Sequence, residues 1–228
     1  MRVAVIDSGV HAAHPHIHGI AGGVLVAADG SIEEGSFSDR LGHGTAVMAA
    51  IQEKAGEADY FAVKVFDSSL RTTARALFCA IEWSIARRMD IINMSLGTSN
   101  AAHAERFHEL VQEAVDAGIS LVAAREAGGQ ACFPGCLPGV FAVGLDEQCE
   151  RNAYRVQDTA EGIVFLASGY PRPAPGIPKE RNLQGISFAV ANITGFAARA
   201  LRESDPRTPT SLRGTMIRGA TPSTASRP

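Results

Sequence analysis

The segment TARALFCAIEWSIARRMDIINM, residues 73–94, combines the pattern of an amphipathic helix with that of a buried strand. Ile91–Met94 is a short apolar run without regular alternation, as expected for a strand buried on both faces. The segment therefore predicts a helix from about Thr73 to Arg88 that leads into an internal strand. Three apolar residues spaced by four share one face of that helix: Leu77, Ile81 and Ile85.

The same two patterns alternate along the rest of the chain. Another amphipathic helix ends near Gly118, and its apolar stripe consists of Phe107, Leu110, Val111, Ala114 and Val115. Alternating strands and helices favour parallel strands joined by crossover helices. The predicted fold class is α/β, a three-layer sandwich with helices on both faces of a mostly parallel sheet. Five further apolar runs complete the predicted strands: Val3–Ile6, Tyr60–Phe66, Ile119–Ala123, Val140–Val143 and Ile163–Leu166.

The composition is that of a soluble globular protein. The 228 residues are 46% hydrophobic and 20% charged, which allows a substantial core. A formal net charge of −3 gives no electrostatic reason to bind nucleic acid or an anionic membrane. No apolar run reaches the roughly 18 residues of a transmembrane helix. Without a repeat or a long linker, we predict one domain over residues 1–221 and a flexible tail over residues 222–228.

The first residues, MRVAVID, begin directly as a strand and lack the pattern of a signal peptide. We therefore expect a cytoplasmic protein, in which the four cysteines are free thiols: Cys79, Cys132, Cys136 and Cys149. The histidines of HAAHPHIH, residues 11–18, look like a metal cluster, but Pro15 interrupts any helix that could align them. We predict solvated histidines, no metal site and no cofactor.

Three motifs carry residues suited to nucleophilic catalysis. VIDSGV places Asp7 at the end of the first strand, GHGTAV places His43 at a helix start, and GISFAVANITG places Ser187 at another helix start. An acid that orients an imidazole, an imidazole that accepts a proton and a hydroxyl that attacks a carbonyl form a charge-oriented nucleophile. Such residues meet at the carboxyl ends of the strands in α/β sheets. The chain order Asp, His, Ser is that of subtilisin.

With these motifs the chain resembles the subtilases, the subtilisin-like serine peptidases, from Val3 to about Thr221. The resemblance implies a sheet of about seven strands and a serine endopeptidase with Asp7, His43 and Ser187 as its triad. It also implies that a peptide or protein substrate lies extended along Ser95, Leu96 and Gly97, where backbone pairing tolerates many side chains. The resemblance extends to His14–Pro15, YFAVKVFD (residues 60–67), AIEWSIARRMDIINMSLGT (80–98) and FPGCLPGVFAVG (133–144).

One departure from the family pattern lies in LVAAREAGG, residues 121–129. Subtilases carry an Asn here whose amide stabilises the oxyanion of the tetrahedral intermediate, and this chain has Ala127 instead. In a subtilisin, loss of that donor lowers kcat by roughly 10²–10³-fold. Gln130 or the guanidinium of Arg125 could serve as a substitute donor beside the backbone N–H of Ser187.

Other departures predict narrow specificity, as in the maturation of a particular peptide. The substrate-flanking segment that is rich in glycine in many subtilases reads SSLRTTA, residues 68–74, and its branched and charged residues should narrow the cleft. Phe188 should shape the leaving-group side. No recognisable prosegment precedes the first strand. Two alternatives to a peptidase stay open: a transpeptidase or macrocyclase that passes the acyl group to an amine, and a pseudoprotease that binds peptides without cleaving them.

Overall fold

The computed structural model describes residues 1–173, 176 and 178–222, so residues 223–228 of the predicted tail lie outside the described part. Its main sheet has nine strands in the order β10-β11-β9-β6-β5-β1-β4-β2-β3. The central seven are mutually parallel, whereas β10 and β3 add antiparallel edges. The strands are β1 (Arg2–Asp7), β2 (Gly22–Val26), β3 (Ile32–Glu34), β4 (Asp59–Lys64), β5 (Ile91–Met94), β6 (Ser120–Ala124), β9 (Phe141–Leu145), β10 (Tyr154–Thr159) and β11 (Gly162–Ala167), and a separate hairpin consists of β7 (Glu126–Ala127) and β8 (Gln130–Ala131).

Five α-helices cover the two faces of the sheet. Helices α1, α4 and α5 share one hydrophobic core with the sheet, and α2 and α3 share the other. Along β1, Val3 and Val5 enter the first core while Ala4 and Ile6 enter the second, since successive side chains of a strand point to opposite faces. The predicted three-layer α/β sandwich is confirmed. The helices are α1 (His43–Gln52), α2 (Ala74–Ala86), α3 (Ala104–Asp116), α4 (Ile186–Glu203) and α5 (Pro209–Arg218).

The predicted strands and helices agree with the observed ones to within two residues at the ends. Helix α2 starts after Thr73, whose hydroxyl accepts a hydrogen bond from the N–H of Ala76 at 3.1 Å. Helix α3 ends just before Gly118, which has a left-handed φ of 77°. None of the helices in the described residues is long and apolar enough to cross a membrane.

The prediction missed β2, the two edge strands β3 and β10, the β7–β8 hairpin and helix α5. All three residues of β3 are exposed, and the centre of β10 exposes Gln157 and Asp158. Because an edge strand is only partly covered, its sequence lacks the continuous Val- and Ile-rich run that marks an internal strand.

Candidate active site

The three residues of the predicted triad lie at one edge of the sheet. Asp7 is the last residue of β1, and His43 is the first residue of α1. Ser187 is the second residue of α4, which packs across the same face as α1. The carboxyl ends of parallel strands open onto this edge, which is where α/β folds bind ligands. His43 and Ser187 line one cavity there.

The Asp7 carboxylate orients the His43 imidazole. Their Oδ1 and Nδ1 atoms are 2.7 Å apart, and the N–H of Ser8 donates to the same oxygen at 2.7 Å. With a proton on Nδ1, the Nε2 atom of His43 is left free to accept one. Burial by itself would lower the pKa of His43, but the hydrogen bond and charge of Asp7, with a smaller contribution from Asp39, raise it above the ordinary value.

Asp39 holds the start of α1 in place, a role that sequence reasoning missed. Burial would raise the pKa of Asp39, but the hydrogen bonds that it accepts, above all from Thr45, lower it. Ser8 in turn accepts from the N–H of Gly44 at 2.8 Å, which ties the loop after β1 to the helix. An Asp four residues before the helix-opening His, in a polar loop, was the available signal. The donors to Asp39 are the Ser8 hydroxyl, the N–H groups of Leu41 and Gly42, and both the N–H and the hydroxyl of Thr45.

The chain approaches itself too closely at Gly44 for any other residue. A Cβ atom there would lie 2.3 Å from the carbonyl oxygen of Gly9, which follows the Asp7 strand. Only glycine allows this contact. The GHGT motif therefore brings the helix that carries His43 against the strand end that carries Asp7.

The Ser187 hydroxyl donates to the carbonyl oxygen of Ser95 at 3.0 Å. A series of buried hydrogen bonds also holds the backbone of Ser187 in place. The Ser95 hydroxyl donates to the carbonyl of Ser187 at 3.0 Å and accepts from the Asn93 amide at 3.0 Å. Thr194 donates to the amide oxygen of Asn93 at 2.8 Å. This series joins β5 to α4 and fixes the position of Ser187 relative to the strand that precedes Ser95.

The cavity shared by His43 and Ser187 has a volume of about 580 Å³. Ser95, Leu96 and Gly97, the residues predicted to lie along the substrate, are among its lining residues. Part of the segment predicted to narrow the cleft also lines the cavity. Phe188 packs against the His43 ring at a centroid distance of 5.5 Å but is buried in the core and does not line the cavity, so its side chain does not face the predicted leaving-group side. Further lining residues are Phe66, Leu70, Arg71, Thr72, Ala74, Leu77, Thr98, His103, Ala124, Ala127, Cys132 and Ile186.

None of the predicted oxyanion positions, Arg125, Ala127 and Gln130, presents a side-chain donor to this cavity. Ala127 lines the cavity on the β7–β8 hairpin, whereas Gln130 is exposed and does not reach it. The guanidinium of Arg125 forms a salt bridge with Glu161 at 3.1 Å and lines a different cavity. In this arrangement Arg125 therefore does not line the cavity that Ser187 and His43 share. The Ser187 N–H, in the first turn of α4, is free of an intrahelical acceptor.

The cysteines and the histidine-rich segment lie outside the triad. All four cysteines are unpaired, with Cys132 and Cys149 buried. His11, His14 and His18 are exposed and His16 is half-buried. Across the described residues, no group of three or more His, Cys, Asp or Glu side chains could hold a metal ion.

Comparisons with known proteins identify a family profile and several relatives. A profile of the subtilase family matches residues 1–227. The chain is 35% identical over 182 residues to the minor extracellular protease Epr of Bacillus subtilis, covering 74% of this chain and 27% of that protein. It is 34% identical over 216 residues to a thermostable alkaline protease of Halalkalibacterium halodurans, covering 86% of this chain and 55% of the relative. The chain thus spans about half or less of the length of these relatives.

Solved structures share the fold. Sphericase superposes with a TM-score of 0.77 at 25% identity and covers 95% of this chain and 82% of its own. The crystal structure of a lanthipeptide protease superposes with a TM-score of 0.73 at 18% identity, covering 95% of this chain and 78% of its own. At that identity the likeness to the lanthipeptide protease concerns the fold alone.

Proposed function

The chain belongs to the subtilase family, and we propose that it is a serine endopeptidase with Asp7, His43 and Ser187 as its triad. The observation that carries the proposal is the Asp7–His43 hydrogen bond of 2.7 Å beside a cavity that His43 shares with Ser187. Family membership and the identity to named proteases support the same reaction class.

The reaction begins when the Ser187 hydroxyl turns from the Ser95 carbonyl towards Nε2 of His43. His43 takes the hydroxyl proton as Oγ attacks the carbonyl carbon of the substrate, and Asp7 stabilises the resulting imidazolium. His43 then gives the proton to the leaving nitrogen as the C–N bond breaks. Water, deprotonated by His43, attacks the acyl-enzyme and releases the acid. The departing Oγ recovers its proton from His43.

An extended peptide substrate uses the wall formed by Ser95–Gly97. There the Ser95 carbonyl can accept a peptide N–H, a bond that competes with the one from the Ser187 hydroxyl. Peptide binding therefore favours the rotation that activates the nucleophile. Leu70, Arg71 and Thr72 line the same cavity and support a narrow choice of side chains.

The oxyanion is stabilised chiefly by the Ser187 N–H and the positive end of the α4 dipole. Because Ala127 supplies no amide, we propose a slow enzyme. The same observation favours a second candidate function, a peptide-binding protein without turnover, in which the cavity still accepts a chain but the tetrahedral intermediate forms too rarely.

A fluorophosphonate probe tests the main proposal. We expect covalent labelling of the folded wild type, no labelling of Ser187→Ala, and cleavage of peptides from a synthetic pool. Peptide affinity without labelling or cleavage would instead support the binding protein. The masses of the products also separate hydrolysis, which adds water, from transfer to an amine, which does not.

A further inference from the structure

A second cavity, of about 500 Å³, lies beside the start of α1 and shares no lining residue with the first cavity. Gly42 and Thr45, which flank His43 and Gly44 in the chain, form part of its wall. Residues of the histidine-rich segment line it from one direction. Arg172 and Asn182, from the segment that precedes Ser187, line it from another. The cavity therefore borders the proposed triad without containing it.

The lining of this cavity combines basic side chains with an apolar surface. His11, His14 and His16 contribute imidazoles, and Arg172 contributes a permanent charge. The guanidinium of Arg172 is held by the Nε2 atom of His18 at 3.3 Å. Among the described lining residues the carboxylate is that of Asp39, whose oxygens already accept five hydrogen bonds. The apolar part comes from Pro15, Ala46, Ala49 and Pro171.

Arg172 provides the charge that a ligand would meet. The other arginine at the rim, Arg40, is largely exposed and faces Asp67 at 3.5 Å. Arg172 is only half-buried, and its side-chain contacts within the described part of the chain are an imidazole nitrogen and, at 3.5 Å, the backbone carbonyl of His16. Neither contact neutralises the guanidinium. A carboxylate is the side-chain group whose geometry and charge suit it.

We propose that this cavity binds an acidic side chain of the substrate, from the segment that follows the scissile bond. The inference rests on the proposed peptidase function. We place the segment after the scissile bond here because the acyl half occupies the first cavity along Ser95–Gly97. The second cavity begins at Gly42, next to His43, and shares no lining residue with the first. An extended peptide advances about 3.3 Å per residue, so the acidic residue belongs to the first few after the cleaved bond.

Paired peptides that differ by Glu against Gln test this inference. A mixed pool of short synthetic peptides first gives a cleavable sequence by mass spectrometry. Glu or Gln is then placed at each of the four positions after the scissile bond, and kcat/KM is measured. At one position we expect the wild type to prefer Glu by about tenfold, the size of a charge-assisted hydrogen bond in a partly solvated site.

Variants assign the preference to the cavity. Arg172→Gln should bring the Glu-to-Gln ratio close to one, and Arg172→Lys should restore part of it. Arg218→Gln, at an exposed arginine that ends α5, is the matched control and should keep the wild-type ratio. The affinities of Ser187→Ala for the two uncut peptides, measured by fluorescence anisotropy, should differ in the same direction.

The outcomes separate this inference from the proposed function. Cleavage with equal rates for Glu and Gln at all four positions overturns the inference and leaves the peptidase intact. An undiminished preference in Arg172→Gln overturns the assignment to this cavity. If fluorophosphonate labelling and cleavage both fail, the peptidase proposal falls, and equal affinities of the two peptides for Ser187→Ala then overturn the acidic site as well.

Discussion

The two sides of the proposed nucleophile are built very differently. On the imidazole side, His43 is held at 2.7 Å by the buried Asp7, and Asp39 fastens the helix start beneath it. On the oxyanion side, a two-stranded hairpin presents Ala127 to the cavity, and its Gln130 is exposed. If Ser187 is the nucleophile, as we propose, this difference implies a complete set of groups for proton transfer and a reduced stabilisation of the oxyanion. These two functions depend on separate elements of the fold.

The imidazole side is tested by Asp7→Asn, which should produce the largest decrease in kcat/KM. The amide keeps the shape of the side chain but no longer stabilises the imidazolium or the correct tautomer, so kcat/KM should fall by about 10⁴-fold. Peptide cleavage measures the loss, and circular dichroism checks that the variant is folded. A loss of less than tenfold would mean that His43 does not depend on Asp7.

The oxyanion side is tested by restoring the amide donor at position 127. Ala127→Asn should raise kcat by up to about 10²-fold with little change in KM, because the amide acts on the transition state rather than on the bound substrate. The matched control is Ala131→Asn, at an exposed alanine of the same hairpin that does not line the cavity of Ser187. Equal rates for both variants and the wild type would show that the oxyanion is already well stabilised.

The contrast between the two sides was only partly predictable from the sequence. Six of the seven parallel strands, the positions of Asp7, His43 and Ser187, and the absence of an amide at Ala127 could be inferred from local patterns and motif order. Such features depend on neighbouring residues, which a linear sequence displays directly. The six predicted strands carry apolar runs because they are buried on both faces, whereas β2 begins with two glycines and has a shorter run.

Side-chain partners that are distant in the chain could not be inferred. The structure pairs Arg125 with Glu161, 36 positions further along the chain, and that pairing depends on the packing of β11 beside β9. Likewise, the hydrogen bond between Thr194 and Asn93 joins residues 101 positions apart. The residues adjacent in the sequence do not reveal the partner of Arg125 or that of Thr194.

The pH dependence of the reaction sharpens the description of the imidazole side. His43 must be neutral to accept the proton of Ser187, and Asp7 raises its pKa above the ordinary value of 6.5. Activity should therefore fall on the acid side, with a midpoint above pH 6.5, by about tenfold for each further pH unit. A profile of kcat/KM against pH measures this. A midpoint at or below 6.5 would contradict the dominance of Asp7 over burial, provided that the protein stays folded over that range.

The smallest expected effect concerns the hydrogen bonds beneath Ser187, which connect the two sides. Thr194→Val preserves the shape of the side chain but leaves the buried amide oxygen of Asn93 without its donor. Unfolding should become easier by about 1–3 kcal/mol, the cost of an unsatisfied buried acceptor. Because Asn93 supports Ser95, and Ser95 supports Ser187, kcat should also fall several-fold while KM changes little. Thermal unfolding and steady-state kinetics measure the two effects.

Ser204→Ala, which removes a hydroxyl at the other end of α4, is the control: it should lower stability without changing kcat. A Thr194→Val variant with reduced stability and full kcat would limit this chain of hydrogen bonds to a structural role.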